Sequence, residues 1–411
     1  MRGQIQKMIN IIGLGYIGLP TALMLSVSGN KVIGTDYNKD VVDTLRSKKL
    51  TFEEPGLEKL FKDANEKGIK YSYEYQNSDF YIITVPTPYD KLNKKINPSY
   101  LISATKKVLK VCNKGAVLVI ESTVSPGTID KFIRPLIDDA GLIINDDIFL
   151  AHAPERILPG QMIYELENNS RTIGADLPEI AEKVKTLYQT FCKGEIVCTD
   201  IRTAEMSKVV ENTFRAVNIA FANELTKIAR YDNLDVHEII RISNMHPRVN
   251  ILNPGPGVGG HCIPVDPWFL VGDYPRLTKL ISAALEVNES MPDLVLNRIT
   301  DIMKDHGITD KSKVGIYGLS YKQDVDDYRE SPTVQMFEKM GEHFAEPFRV
   351  YDPMIHNRVV QSQIMDFDSF INDSEIVVVM VPHSQIKSQQ DKLKNKLVLD
   401  PHNIFDFSYK L

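Results

Sequence analysis

The 411-residue chain is poor in cysteine, has no long apolar run and carries no basic excess. Its four cysteines, Cys112, Cys192, Cys198 and Cys262, are scattered and make no C-x-x-C pair. That scatter excludes a disulfide framework, argues against a structural zinc site so that no metal is expected, and fits a reducing compartment. A net charge of -6 leaves no basic domain or stripe for a nucleic-acid partner. No stretch is long and apolar enough to cross a bilayer, so a cytoplasmic chain with no membrane partner is expected. Arg2 and Lys7 before the apolar run from Met8 to Val27 imitate a signal peptide. Gly13, Gly15, Gly18 and Pro20 interrupt that run and no cleavage site follows, so it reads as folded protein.

What is present begins with an apolar strand at Met8 to Ile12, then Gly13-Leu-Gly15-Tyr-Ile-Gly18, a helix over Leu19 to Ser28 and a strand from Lys31 ending at Asp36. Strand, glycine turn, helix and strand with an acid about 20 residues on is the dinucleotide fingerprint in its required setting. Gly13 makes the tight turn, Gly15 admits the pyrophosphate, Gly18 completes the motif, and Tyr16 and Ile17 sit within the cofactor turn. The helix N-terminus faces the phosphate charge. Asp36 can accept from both ribose hydroxyls and would repel a 2′-phosphate, so NAD is favoured over NADP.

Further strands at Phe80 to Val85, Ala116 to Glu121 and Ile148 to Ala151 alternate with polar helical stretches, as a doubly wound parallel sheet requires. Ligands bind at the carboxyl ends of such strands, which makes Thr87 and Thr123 candidate cofactor contacts. The plain alternative is a pair of turn-forming hydroxyls. From Asp200 to Arg230 runs a helix without proline or glycine, with Lys208, Asn212 and Arg215 on one face. Val209, Val210, Phe214, Val217 and Phe221 predict its burial nearly all round, between domains or subunits. The last third repeats the α/β theme: strands Lys313 to Tyr317, Arg349 to Asp352, Ile376 to Val381 and Lys396 to Asp400, with a helix over Ser331 to Glu342. Its glycine turn is degenerate, so a second dinucleotide is not expected there. Tyr321, Lys322 and Arg329 instead suit a phosphorylated, base-bearing ligand.

The expected fold class is therefore α/β, with two Rossmann-like doubly wound parallel-sheet domains joined by a long central helix. Its parts are a cofactor domain over residues 1–199, a helical and dimerising region over 200–305 and a second α/β domain over 306–411. The remaining pointed feature is Gly255-Pro-Gly257-Val-Gly259-Gly260-His261-Cys262 followed by Ile263-Pro-Val265-Asp266-Pro267. Glycines let such a loop approach a ligand closely and present its thiol. Cys262 is the candidate nucleophile.

Glu205-Met-Ser-Lys208-Val-Val-Glu-Asn212, Gly257-Val-Gly-Gly-His-Cys262 and Lys322 through Pro332, in this order behind an NAD fingerprint, resemble the UDP-glucose/UDP-N-acetylmannosamine 6-dehydrogenase family over essentially the whole chain. His261 and Val265, where the glucose-oxidising branch has tyrosine and lysine, together with Met245 through Asn250 and Asp266-Pro267-Trp268-Phe269, look most like the UDP-N-acetyl-D-mannosamine branch. The resemblance implies a four-electron oxidation of a sugar C6 alcohol to the acid, through a Cys262 thiohemiacetal and thioester, for surface polysaccharide or glycan precursors. It implies Lys208 and Asn212 as oxyanion partners, and Asp266 ahead of Glu155 as the acid that orients water or moves protons. Arg156, Ile157, Arg215, His246, Arg248 and Gly259 match positions holding the sugar and diphosphate, with Lys208 and Asn212 beside them. Tyr321, Lys322 and Arg329 match the nucleotide side. A homodimer through the long helix is expected. Other open readings are UDP-N-acetylglucosamine or UDP-glucose as substrate, a 6-phosphogluconate-type or 3-hydroxyacid dehydrogenase, and a non-catalytic nucleotide-sugar or NAD-binding protein.

Overall fold

Residues 7–157, 159–341 and 348–411 are described by the computed structural model. The chain folds as two compact units, 1–211 and 212–411. The first is built on an eight-stranded sheet. Its strands are Met8–Ile12 (β1), Lys31–Thr35 (β2), Lys70–Ser72 (β3), Phe80–Ile83 (β4), Ala116–Ile120 (β5), Ile148–His152 (β6), Arg171–Ala175 (β7) and Ile196–Thr199 (β8). β4 and β5 are buried at every position. That is why they read as unbroken apolar runs, with helices covering both faces.

The order is β3-β2-β1-β4-β5-β6-β7-β8. β1 pairs in parallel with both β2 and β4, so the winding reverses there and opens a crevice at the strands' carboxyl ends. The sheet differs from the parallel expectation at its far edge. β7 runs antiparallel to β6, with Ala151 opposite Ala175, and β8 follows β7 in parallel. β3 and β8 had no sequence signal because they are short and partly exposed, and β7 because its buried run is broken by Arg171, Thr172 and Gly174.

The long helix occupies Ile201–Tyr231, 31 residues. Asp200 starts it by accepting from the Thr203 backbone N–H at 2.8 Å and hydroxyl at 2.6 Å. Gly174 in β7 lets its first turn pack closely, since a Cβ there would lie 2.7 Å from the Ala204 Cβ. Within the single chain the helix is buried on part of its surface only. Val209 is buried, but Phe214 and Phe221 are 66% and 53% exposed.

The second unit carries a four-stranded parallel sheet of Val314–Tyr317 (β9), Arg349–Tyr351 (β10), Ile376–Val379 (β11) and Leu397–Leu399 (β12), in the order β10-β9-β11-β12. The helix expected over Ser331 to Glu342 is present at Pro332–Gly341, and Glu342 lies outside the described residues. Gly318 repeats the turn of Gly13, at φ of 103° and 97° respectively. Each donates its N–H to the carbonyl ending the neighbouring strand, Thr35 and Tyr351, at 2.8 Å. The two acids after those strands then diverge. Asp352 is buried and accepts from the backbone of Leu319, Ser320 and Met354, with the His383 ring at 3.2 Å. Asp36 stays half-exposed.

Candidate functional sites

In the first unit the fingerprint turn shows why each glycine is needed. A Cβ on Gly18 would lie 1.8 Å from the Gly13 carbonyl oxygen and 2.2 Å from the Thr84 hydroxyl, so only glycine lets the helix start against the strand. A Cβ on Gly15 would meet nothing within 4 Å, which leaves open space over the turn for a pyrophosphate. Asp36 accepts from the Leu14 N–H at 2.8 Å and the Asn38 N–H at 2.9 Å. Those bonds fix its carboxylate, whose remaining lone pairs can take ribose hydroxyls. Tyr16 packs on Phe52 with ring centroids 4.4 Å apart. Thr87 donates its hydroxyl to the Thr123 carbonyl at 2.6 Å, which stitches the turns after β4 and β5 together. The residues present therefore fit a dinucleotide.

The first unit also carries a buried charge cluster, of which sequence reading named only Glu155 as a candidate. Arg171 of β7 contacts Glu121 at 3.4 Å, is ion-paired to Glu155, and stacks over Tyr188 at 4.5 Å. Burial pushes the Glu121 carboxyl up to about 8, a shift that the Arg171 charge only partly offsets. Glu155 also accepts from the Arg156 N–H at 2.6 Å. Arg156 directs its guanidinium to Glu211, the Ser170 carbonyl and Thr172, while Ile157 is buried. Glu205 accepts from the Gly127 and Ile129 N–H groups at 2.5 and 3.0 Å, and burial raises it to about 7. Lys208 is buried on the same helix. The signal for Glu121 and Glu205 was an acid ending an apolar strand and an acid inside an otherwise apolar helix face.

In the second unit the thiol loop is held from both sides. The Cys262 carbonyl accepts the N–H groups of Val265 and Asp266 at 3.1 and 2.8 Å, so the loop turns directly into the helix Asp266–Asp273. Buried Asn212 donates to the Asp266 carboxylate at 2.6 Å. Cβ atoms on Gly259 or Gly260 would strike Tyr321, at 2.7 and 2.9 Å. The Gly260 N–H reaches the Arg329 carbonyl at 3.2 Å. The structure thus joins Asn212, Gly259, Cys262, Asp266, Tyr321 and Arg329 into one constellation. Lys322 is half-buried beside Tyr321, its carbonyl accepting the Ser320 hydroxyl at 3.0 Å. Arg215, His246 and Arg248 are exposed, and the His246 ring accepts from the Arg248 N–H at 3.3 Å. Asp327, buried between His261 and Arg329, was also missed.

Three family models match in chain order: the NAD-binding domain of the UDP-glucose/GDP-mannose dehydrogenase family at residues 7–192, its central domain at 202–290 and its UDP-binding domain at 315–407. The chain belongs to this family and is an NAD-dependent oxidoreductase. Among its relatives, the UDP-N-acetyl-D-mannosamine dehydrogenase of Methanococcus maripaludis is 42% identical, covering 98% of this chain and 94% of that one. The solved structure of the UDP-N-acetyl-mannosamine dehydrogenase from Staphylococcus aureus is 40% identical with a TM-score of 0.88, covering 98% of each chain. That of the UDP-D-ManNAc dehydrogenase from Pyrococcus horikoshii is 34% identical with a TM-score of 0.91, again over 98% of each. Among the described residues no helix is long and apolar enough to cross a membrane.

Proposed function

We propose that this chain oxidises UDP-N-acetyl-D-mannosamine to UDP-N-acetyl-D-mannosaminuronate, as a cytoplasmic homodimer supplying glycan precursors. The names of its near full-length relatives support the sugar. The observation that carries the chemistry is the Asn212, Asp266 and Cys262 turn, in which a thiol loop is fixed to a helix start by a buried amide–carboxylate pair. Residues 1–199 hold the cofactor, 200–305 the helical core and thiol loop, and 306–411 the UDP moiety. Gly13, Gly15, Gly18 and Asp36, with Tyr16, Ile17, Thr87 and Thr123 nearby, would hold NAD, which when bound would supply the hydride acceptor for both oxidations.

Cys262 supplies what a single enzyme needs between those oxidations. As thiolate it adds to the C6 aldehyde to give a thiohemiacetal, which can be oxidised again to a thioester. Lys208, one helical turn before Asn212 on the same face, offers an ammonium for the developing oxyanion, with Asn212 as a second donor. Asp266 keeps the Asn212 amide oriented, and Glu155 is a further carboxylate in the machinery. Arg156, Ile157, Arg215, His246, Arg248 and Gly259 line the sugar and diphosphate, and Tyr321, Lys322 and Arg329 the nucleotide. The exposed stripe of Val210, Phe214, Phe221 and Ile228 on the long helix supports the dimer. Cys262→Ser tests the covalent route: it should make no uronate, and full uronate formation by that variant would overturn the mechanism.

A further inference from the structure

The acid–base group that releases the product from Cys262 can be sought among three residues, and their surroundings differ. Glu155 has a side chain 4% exposed and paired to Arg171, with its other oxygen bound to the Arg156 N–H at 2.6 Å. Asp266 is 4% exposed and holds the Asn212 amide at 2.6 Å. Both carboxylates are committed to neighbours and withdrawn from water. The side chain of His261, directly before the thiol residue, is 40% exposed.

His261 is also oriented. Its Nε2 lies 2.9 Å from Asp327 Oδ2, and the Tyr321 ring packs against it edge-on with centroids 6.4 Å apart. Asp327 is clamped by the Arg329 guanidinium, Nε at 2.9 Å and Nη2 at 2.7 Å. Burial alone would raise the Asp327 carboxyl, but the hydrogen bonds from His261 and Arg329 hold it well below the usual carboxylate range. An ionised carboxylate only accepts, so the neutral imidazole carries its hydrogen on Nε2 and keeps a lone pair on Nδ1. Among the described residues nothing donates to that Nδ1. A base whose tautomer is set by a buried acid, beside a nucleophile, is the arrangement acyl-transfer enzymes use to activate water.

We propose that His261, positioned by Asp327, is the general base that hydrolyses the Cys262 thioester, an inference that rests on the covalent reading above. Nδ1 takes one proton from water as the water oxygen bonds to the acyl carbon. The C–S bond breaks, its electron pair leaves on the Cys262 sulfur, and the proton held on Nδ1 returns to the sulfur or to solvent. No electrons are exchanged with the cofactor in this step. Asp327 acts through His261 and is a positioning residue.

The test uses full-length His261→Asn and Asp327→Asn, rapidly mixed with NAD and UDP-N-acetylmannosamine. Both should keep an NADH burst of two per site, because the oxidations precede hydrolysis. Steady turnover, normalised to burst amplitude so that only folded sites count, should fall about 100-fold or more for His261→Asn. Asp327→Asn should fall less, about tenfold or more, because the ring remains but its tautomer is no longer fixed. Hydroxylamine should capture the accumulated thioester as the hydroxamate and restore turnover in both. The pH dependence of the wild-type steady rate should flatten in His261→Asn. A burst and steady rate that fall together, or a thioester that turns over at the wild-type rate, would overturn the role of His261 alone. Full turnover with no covalent adduct in any variant would overturn the Cys262 reading and this one with it.

Discussion

Two substitutions three residues apart in the fingerprint should fail in opposite ways. Gly18→Ala places a methyl 1.8 Å from the Gly13 carbonyl oxygen and 2.2 Å from the Thr84 hydroxyl. Neither neighbour is a flexible side-chain end, and that hydroxyl already serves the Gly13 and Ile12 carbonyls at 2.7 and 3.0 Å. Overpacking of this kind costs about 1–3 kcal/mol, and a displaced hydrogen bond adds about 1 kcal/mol. A loss near 3 kcal/mol should lower Tm by about 6–12 °C for a unit of this size. Gly15→Ala meets no atom within 4 Å. Its stability should stay within about 0.5 kcal/mol of wild type, while the methyl occupies the pyrophosphate space and weakens NAD at least about tenfold. Thermal melting with and without NAD, and NAD titration by calorimetry, read both effects. A Gly18→Ala protein as stable as wild type, or a Gly15→Ala protein with unchanged NAD affinity, would refute this account of the turn.

Charge and surface give three further expectations. Asp36 should hold kcat/KM for NAD about 100-fold above that for NADP, since repulsion at close range near a surface is worth a few kcal/mol, and Asp36→Ala should narrow the gap; equal use of both by wild type would count against it. Glu121, raised by burial to about 8, stabilises the fold fully below the ordinary carboxyl range and loses that contribution as pH rises toward 8. Urea midpoints of wild type should therefore fall between pH 5 and 8 relative to Glu121→Gln, and parallel curves would contradict the buried protonated acid. Phe214→Asp with Phe221→Asp, both on the exposed stripe of the long helix, should convert a dimer to a monomer in light scattering at micromolar concentration. A wild-type monomer would remove the interface.

The legible parts of the fold were those where one strong local rule acts alone. β4 and β5 are fully enclosed and β1 is buried after Met8, so their apolar runs marked them, and the helix Ile201–Tyr231 declared itself by length without a breaker. β7 and its reversed direction were hidden because Arg171-Thr-Ile-Gly-Ala carries a cation whose reason is tertiary, namely the carboxyl groups of Glu121 and Glu155, which follow β5 and β6. In the candidate site, glycine density pointed to Cys262 and helical spacing to Asn212, whereas Asp266 came only through the family resemblance. Asp327 was passed over for Arg329 two residues on, since only the folded loop shows that the arginine clamps the aspartate against His261. Which partner covers Phe214 and Phe221 was not legible, because an apolar helix face looks the same whether its own chain or a second copy covers it; within the single chain both are exposed.

The central claim is a two-step oxidation of one nucleotide sugar, and the most direct measurement is NADH formed per sugar consumed, with UDP-N-acetylmannosamine, UDP-N-acetylglucosamine and UDP-glucose run in parallel. The account predicts two NADH and one uronate per UDP-N-acetylmannosamine, with little turnover of the other two. One NADH per sugar with release of the aldehyde, or no NADH from any of the three, would contradict it.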